Sequence, residues 1–410
     1  MATTTDVDLA EIDIMDMKWF ADGAPHDLFA RMRAEAPVRW NTLPSGAGFW
    51  SVTRHADVSA ISRDTETFSS YEGGIFLDPD HIFPLDVTRN LLLYMDPPQH
   101  TKYRKILQTA FVPATVNALE DGVRARVTKT IDAFIERGEA DFAQDVAIPI
   151  PLAVLTELMG VPEEDIPKFA EWTEQIEVAS RSVKGDAIPT LMEMSGYLHQ
   201  QIERQIAEGT TDSLVMRLRN AEVEGEKLTD PEILVFFGLL AFAGNDTTRN
   251  TTATGFLELL RHPEALAALK ADPSIIPVAV EEILRYTTVV QWFARTVTKD
   301  VELGGQQLKA GDKVVMWYTS ASRDEDVFED PQTFDIQRVK PDHKAFGGGG
   351  RHFCLGAGLA RLEIRVILEE VIRRLDDVEL AGDFKRVPNN WANGLEHLPI
   401  RFKPGAREAA

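Results

Sequence analysis

Residues 346–358 read Phe346-Gly-Gly-Gly-Gly-Arg-His-Phe-Cys354-Leu-Gly-Ala-Gly358, and the fold is decided by how they are read. The one cysteine of the chain stands between a four-glycine run and a helix predicted over 355–375. Amide groups at the start of that helix, with the positive end of its dipole, favour a thiolate there. The glycines let backbone come close to something bulky and flat, since they carry no Cβ. A thiolate presented in this way suits a soft or borderline metal. Two other readings compete. One is a small buried hydrophobe, as most unpaired cysteines are. The other is a protease nucleophile that draws its histidine from elsewhere in the chain, but it gives the four glycines no purpose.

Around this segment the composition is that of a globular protein. Of 410 residues, 44% are hydrophobic, and 65 acidic against 43 basic side chains leave a formal charge of −22. That balance argues against nucleic acid or an anionic membrane as partner, because both demand a positive footprint. A single cysteine excludes an intramolecular disulfide framework and a CxxC zinc cluster. Residues 1–20 lack the basic and apolar regions of a signal peptide. The longest apolar run, 233–243, falls well short of the roughly 20 residues of a membrane span. The expectation is a soluble cytoplasmic protein. Internal repeats and nucleotide-binding glycine motifs are absent from the sequence.

Periodicity predicts a strand over 49–53, a helix over 56–61, a long loop over 73–96 and near-continuous helix over 97–269. The clearest helix has Asp230 as its N-cap and Pro231 at its first position, and runs to Arg261, where His262-Pro263 stops it. A second covers 276–286, short strands follow at 301–303 and 313–318, and the helix over 355–375 comes last. The fold class is mainly α with small β-sheets, and residues 1–410 read as one fold.

Three further clusters stand out. The apolar run of the helix from Asp230 gives way to Ala243-Gly244-Asn245-Asp246-Thr247-Thr248, poor helix formers at the centre of a buried helix. Burying an aspartate costs several kcal/mol unless it is paired, so a polar cluster there points to function. Glu282-Ile-Leu-Arg285 puts an acid and a base on one helix face. Asp96-Pro-Pro-Gln-His100-Thr-Lys-Tyr-Arg104 sets His100 and Arg104 one turn apart on a helix that the prolines can begin.

Taken together, the cysteine segment and these clusters, in this order, resemble the haem-binding, oxygen-helix, ExxR and propionate-binding motifs of cytochrome P-450 monooxygenases. The form FGGGGxHxCLG is similar to that of bacterial members that hydroxylate terpenoids, branched lipids and steroid side chains. It departs from the usual spacing, since Phe346 lies eight residues before Cys354 rather than seven. The resemblance implies the P-450 fold, with haem b between the long distal helix and the helix after the cysteine. It makes Cys354 the iron ligand, with Phe346 and Gly356 in the ligand loop. Gly244 then makes room for dioxygen, Thr247 bonds it, and Asp246 with waters relays protons. It gives His100, Arg104, Arg295 and His352 to the haem propionates, and Glu282, Arg285 and Arg338 to a structural network holding the ligand loop.

Function follows from the same resemblance. A haem-dependent monooxygenase inserts one atom of dioxygen into a substrate C–H bond and takes two electrons from an iron–sulfur ferredoxin and its reductase. A haem-thiolate sensor would not need Asp246 and Thr247, and a peroxide-using hydroxylase normally lacks them. Ferredoxins are usually acidic, so the docking face has to run against the net charge. Lys102, Arg104, Lys105, Arg351 and Arg361 are the expected basic face. The expected substrate pocket draws on Phe76, Leu93, Leu240, Ala243, Val290, Trp292 and Trp391. It carries no counter-charge for an ionic ligand, so the substrate is a hydrophobic small molecule: terpenoid, steroid, lipid-like or alkyl aromatic.

Overall fold

The computed structural model describes residues 8–43, 46–78, 80, 83–181, 187–211, 213–223, 225–339 and 341–408. The helices that frame the site are, in chain order, α1 (His55–Arg63), α2 (Gln99–Gln108), α3 (Pro149–Met159), α4 (Leu214–Asn220), α5 (Asp230–Arg261), α6 (Ile276–Thr287) and α7 (Ala357–Arg374). Five strands, β1 (Val38–Thr42), β2 (Gly48–Val52), β3 (Phe68–Ser69), β4 (Trp292–Val297) and β5 (Lys313–Trp317), form one sheet in the order β1-β2-β5-β4-β3. A hairpin of β6 (Lys385–Val387) and β7 (Gly394–His397) carries residues 388–393 at its tip. This is the expected mainly helical architecture with small sheets. Among the described residues no helix is long and apolar enough to cross a membrane.

The 32 residues of α5 span about 48 Å at 1.5 Å per residue. The start of α5 corrects the sequence reading. Its N-cap is Thr229, not Asp230, because Thr229 and Glu232 cap each other reciprocally, with the Thr229 N–H donating to Glu232 Oε2 at 2.8 Å. The end is as expected: His262 is forced out of helical geometry ahead of Pro263.

Two separate apolar cores meet along α5. Ile233, Phe236, Phe237 and Ala241 pack with Leu152, Leu155, Phe169 and Leu198. Ala253, Phe256, Leu257 and Leu259 pack with Ile283, Leu284, Leu362 and Val366. Residues 243–252 belong to neither core. The polar middle of the helix therefore lies where apolar packing lapses, which is why poor helix formers are tolerated there.

Two other expectations need correction. The loop predicted over 73–96 contains a short helix, Leu85–Thr88, and a 3₁₀ turn, Leu92–Tyr94. The helical stretch over 97–269 is broken by a strand, Glu139–Asp141, and by two short antiparallel strands, Glu222–Val223 and Glu226–Lys227. The strand exists because its partner is distant: Ala140 pairs with Ile400 on the last strand, Pro399–Lys403, and local periodicity carries no trace of that pairing.

Candidate active site

Cys354 lies just before α7 and is enclosed by protein, yet its surface is accessible, so that surface faces a space inside the fold. Burial pushes its thiol pKa up. The backbone N–H groups of Gly356 and Ala357 and the charges of Arg104 and Arg361 pull the other way, and burial wins. The Cys354 N–H donates to the Phe346 carbonyl at 3.1 Å, closing the loop. The extra residue between them is taken up by Gly347, Gly349 and Gly350, all at positive φ.

The glycines save space against a different neighbour from the one expected. A Cβ on Gly348 would stand 2.0 Å from Ser62 Oγ and 2.7 Å from the Val58 carbonyl, and one on Gly350 would stand 2.4 Å from the Ser62 carbonyl. The loop is seated on α1, and its glycines serve that seat. Phe346 packs 6.1 Å from Phe353, and the Arg361 guanidinium lies 4.5 Å from its ring centre.

Beside the thiol the structure gathers the four predicted anion anchors. The His100 and His352 rings are 4.3 Å apart, Arg104 donates to the Phe353 carbonyl at 2.7 Å, and Arg295 is buried on β4. Both ring nitrogens of His100 are buried without a hydrogen-bond partner. Burial, then Arg104, Arg351 and Arg295, hold its pKa down to about 4. His352 is likewise lowered by burial and by Arg295, His100 and Arg104. None of the four forms an ion pair with a described residue. Two arginines and two histidines drawn together, with orphaned ring nitrogens on His100, fit an anion that completes them. A flat group with two carboxylates at one edge and a soft-metal centre over Cys354 meets that demand, and haem has this shape and chemistry.

On α5, Thr247 Oγ donates to the Ala243 carbonyl at 2.8 Å, and Thr251, Thr252 and Thr254 bond back in the same way. Asp246 is 6% exposed and lies 2.5 Å from the Arg249 guanidinium one turn on. Arg249 escaped the sequence reading, although three-residue spacing on a helix announces such pairs. Gly244 turns toward Leu155 of α3, where a Cβ would stand at an ordinary 3.4 Å.

The ExxR network is assembled as a buried unit. Arg285 donates from Nε and Nη2 to Glu282 at 2.7 Å each, and also to the carbonyls of Ser322, Pro331 and Thr333. Arg338 Nε lies 3.3 Å from Glu282.

The predicted pocket residues fall into separate groups. Phe76 stands 6.0 Å from Trp292 and 5.6 Å from Trp391, with Phe293, which the sequence reading missed, 6.1 Å from both Phe76 and Trp391. Leu93 packs against this cluster. Leu240 packs with the core around α3 instead, and Ala243 lies beside Thr247 on α5. Val290 bridges to Ala392 at the tip of the β6–β7 hairpin, which brings Trp391 up to β4.

The expected basic face is partly dismantled. Arg361 is bound through two nitrogens to Glu281, at 2.5 and 2.9 Å, so its charge is already paired although the side chain is partly exposed. Arg104 is turned toward the cysteine loop. Lys102, Lys105 and Arg351 instead line an open groove of about 1070 Å³ together with Arg217 of α4 and Glu222.

The family model for cytochrome P-450 matches residues 182–273 and 274–402. A steroid C26-monooxygenase of Mycolicibacterium smegmatis is 36% identical over 98% of this chain and 96% of its own length. A methyl-branched lipid omega-hydroxylase of Mycobacterium tuberculosis is 36% identical over 97% and 96%. Among solved structures, a Mycobacterium marinum cytochrome P-450 in complex with pseudoionone superposes with a TM-score of 0.84 at 36% identity, covering 97% of this chain and 100% of that one. These matches carry haem b as cofactor and monooxygenase activity on hydrophobic substrates, and the chain belongs to the cytochrome P-450 family.

Proposed function

We propose that this protein hydroxylates a C–H bond of a steroid, a methyl-branched lipid or a molecule of similar apolar shape, with two electrons drawn from an iron–sulfur ferredoxin and its reductase. Haem, when bound, supplies the iron at which dioxygen is activated and divided between substrate and water. The rest falls to the chain's own residues. Cys354 holds the iron, and the Gly356 and Ala357 amides steady the thiolate. His100, Arg104, Arg295 and His352 hold the propionates by charge-assisted bonds. Thr247 has committed its hydroxyl proton to the Ala243 carbonyl, so toward the cavity it offers lone pairs that accept a hydrogen bond. Asp246 is held in place by Arg249 and relays protons through water toward Thr247, taking one up as it gives one on, while the apolar surroundings keep bulk solvent out.

The observation that carries this reading is the polar stretch Ala243–Thr248, set in the gap between two apolar cores on a long helix that contributes to both. The substrate class is supported by the aromatic cluster of Phe76, Trp292, Phe293 and Trp391, which offers apolar surface and no counter-charge, and by the names of the relatives. Spin-state titration of the holoprotein with testosterone, a methyl-branched fatty acid, pseudoionone and an alkyl aromatic tests it. A low-to-high-spin shift with the steroid or the branched acid is expected. No shift with any of the four would overturn the substrate class.

For the electron donor, Lys102, Lys105, Arg217 and Arg351 form the docking groove, with local positive charge on a protein of −22. Lys105→Glu and Arg217→Glu should each slow reduction by a ferredoxin several-fold, more at low salt than high, and leave the spin-state response intact. Unchanged reduction in both would place the docking face elsewhere.

A further inference from the structure

The loop that carries Phe76 is fastened by a side chain outside every motif. Lys313 opens β5 and pairs with Thr296 of β4, on the sheet face that also presents Val315, Trp317, Ala294 and Trp292. Its ammonium reaches three carbonyl oxygens of one short segment: Gly73, Gly74 at 3.3 Å and Phe76 at 3.1 Å. An ammonium has three donors and no acceptor, so the three carbonyls complete it. Among the described residues no carboxylate comes within ion-pair distance of it.

The fit is close. A Cβ on Gly73 would stand 2.5 Å from Thr296 Oγ1 and 2.9 Å from Lys313 Nζ. The carbonyl between the clamped ones, that of Ile75, accepts from the Ala294 N–H at 2.8 Å, so four successive residues are stitched to β4 and β5. Phe76, at their end, is 8% exposed and forms the centre of the aromatic cluster with Trp292, Phe293 and Trp391.

We infer that Lys313 is a positioning residue that clamps Gly73–Phe76 onto the sheet and thereby sets Phe76 as a fixed wall against the substrate. The second half of this inference rests on the proposed function, and the first does not. A half-buried ammonium among carbonyls is a stiff clamp, because its release leaves three acceptors without a partner. Its strength also depends on pH. Burial holds the Lys313 pKa down to about 8. Arg295 on β4 opposes the charge, and Asp78 of the loop favours it. Tyr94, packed on Gly74, has a hydroxyl pushed well above the ordinary range by its own burial. The closed segment therefore gives up the proton as pH rises through about 8 while an opened lysine keeps it, so opening takes up a proton and becomes harder as pH rises.

Hydrogen exchange of the haem-loaded protein, followed by mass spectrometry, tests the clamp without any substrate. In Lys313→Met, protection of peptides over 73–78 should fall about tenfold while peptides of α5 and α7 are unchanged. Unchanged protection over 73–78 would overturn the clamp. The pH arm needs no variant. Wild-type protection over 73–78, corrected for intrinsic exchange, should rise between pH 7 and 9, and a flat profile counts against the buried ammonium. Spectral titration with testosterone at pH 7 tests the wall. Affinity should fall at least fivefold in Lys313→Met, with the reduced carbon-monoxide spectrum unchanged. A loosened loop with unaltered affinity would overturn the positioning role. Absence of any testosterone response in the wild type would count against the substrate reading, and the clamp is still judged by exchange.

Discussion

Replacing Asp246 by asparagine separates two jobs that one carboxylate is assigned. Asp246 is 6% exposed, and the Arg249 side chain 2.5 Å away is 19% exposed. Asparagine keeps the shape and removes the charge, so Arg249 loses the carboxylate it faces. Removing one partner of a fully buried pair costs about 3–5 kcal/mol, and of a surface pair about 0–1 kcal/mol. Water reaches Arg249 on one side, which sets the expected loss near 2 kcal/mol. Deleting both charges, in Asp246→Asn/Arg249→Met, should restore stability to within about 1 kcal/mol of wild type, since no unpaired charge remains. Turnover should behave otherwise. A positioned proton donor is worth about 10²–10⁴-fold, so the single and the double variant alike should lose roughly a hundredfold in product formed per second. Denaturant midpoints of the holoproteins and steady-state product formation with one ferredoxin pair measure the two quantities side by side. If the double variant recovers turnover together with stability, Asp246 serves only to hold Arg249, and its place in proton delivery is refuted.

Further expectations follow from neighbouring contacts. Thr247→Ala removes a bond that is additional to the helix ladder, so stability should change by no more than about 1 kcal/mol. Product per electron pair should fall as peroxide escapes, and unchanged coupling removes Thr247 from the mechanism. Glu281 is raised by burial, but the bonds from His343 and Arg361 outweigh this and hold it down to about 2. The stabilisation from that depressed pKa is complete above the ordinary carboxylate pKa of about 4.5 and is lost as pH falls toward 2. Partial exposure trims it to about 1–2 kcal/mol. Thermal scans from pH 6 to 3 should show a shallower acid limb in Glu281→Gln. Gly348→Ala puts a methyl group into Ser62 and the α1 backbone. It should lower haem retention on heating, and Gly348→Ala/Ser62→Gly should recover only part, because the Val58 carbonyl stays in place.

What could be read from sequence was what is local or spaced along one helix. The 32-residue α5, its stop at His262-Pro263 and the pairing of Glu282 with Arg285 follow from capping, proline sterics and helical period. What escaped was set by partners distant in the chain. The glycines of 347–350 look like space for a cofactor until α1, nearly 300 residues earlier, proves to be what they seat upon. Arg361 looks like a docking charge until Glu281 takes two of its three nitrogens. Arg217 and Lys313 belong to no motif, and only the fold shows what they face. The anion anchors lie between these cases. His100, Arg104, Arg295 and His352 come from three regions of the chain, and resemblance alone joined them before the structure placed them around one space.

Thiolate ligation of haem by Cys354 is the claim on which the rest depends, and one spectrum tests it directly. The dithionite-reduced carbon-monoxide complex of the intact wild-type protein should show the red-shifted Soret band that marks thiolate-ligated haem. Cys354→Ser, checked for native fold by circular dichroism, should lose that band. A histidine-type band from the correctly folded wild-type protein would contradict the assignment.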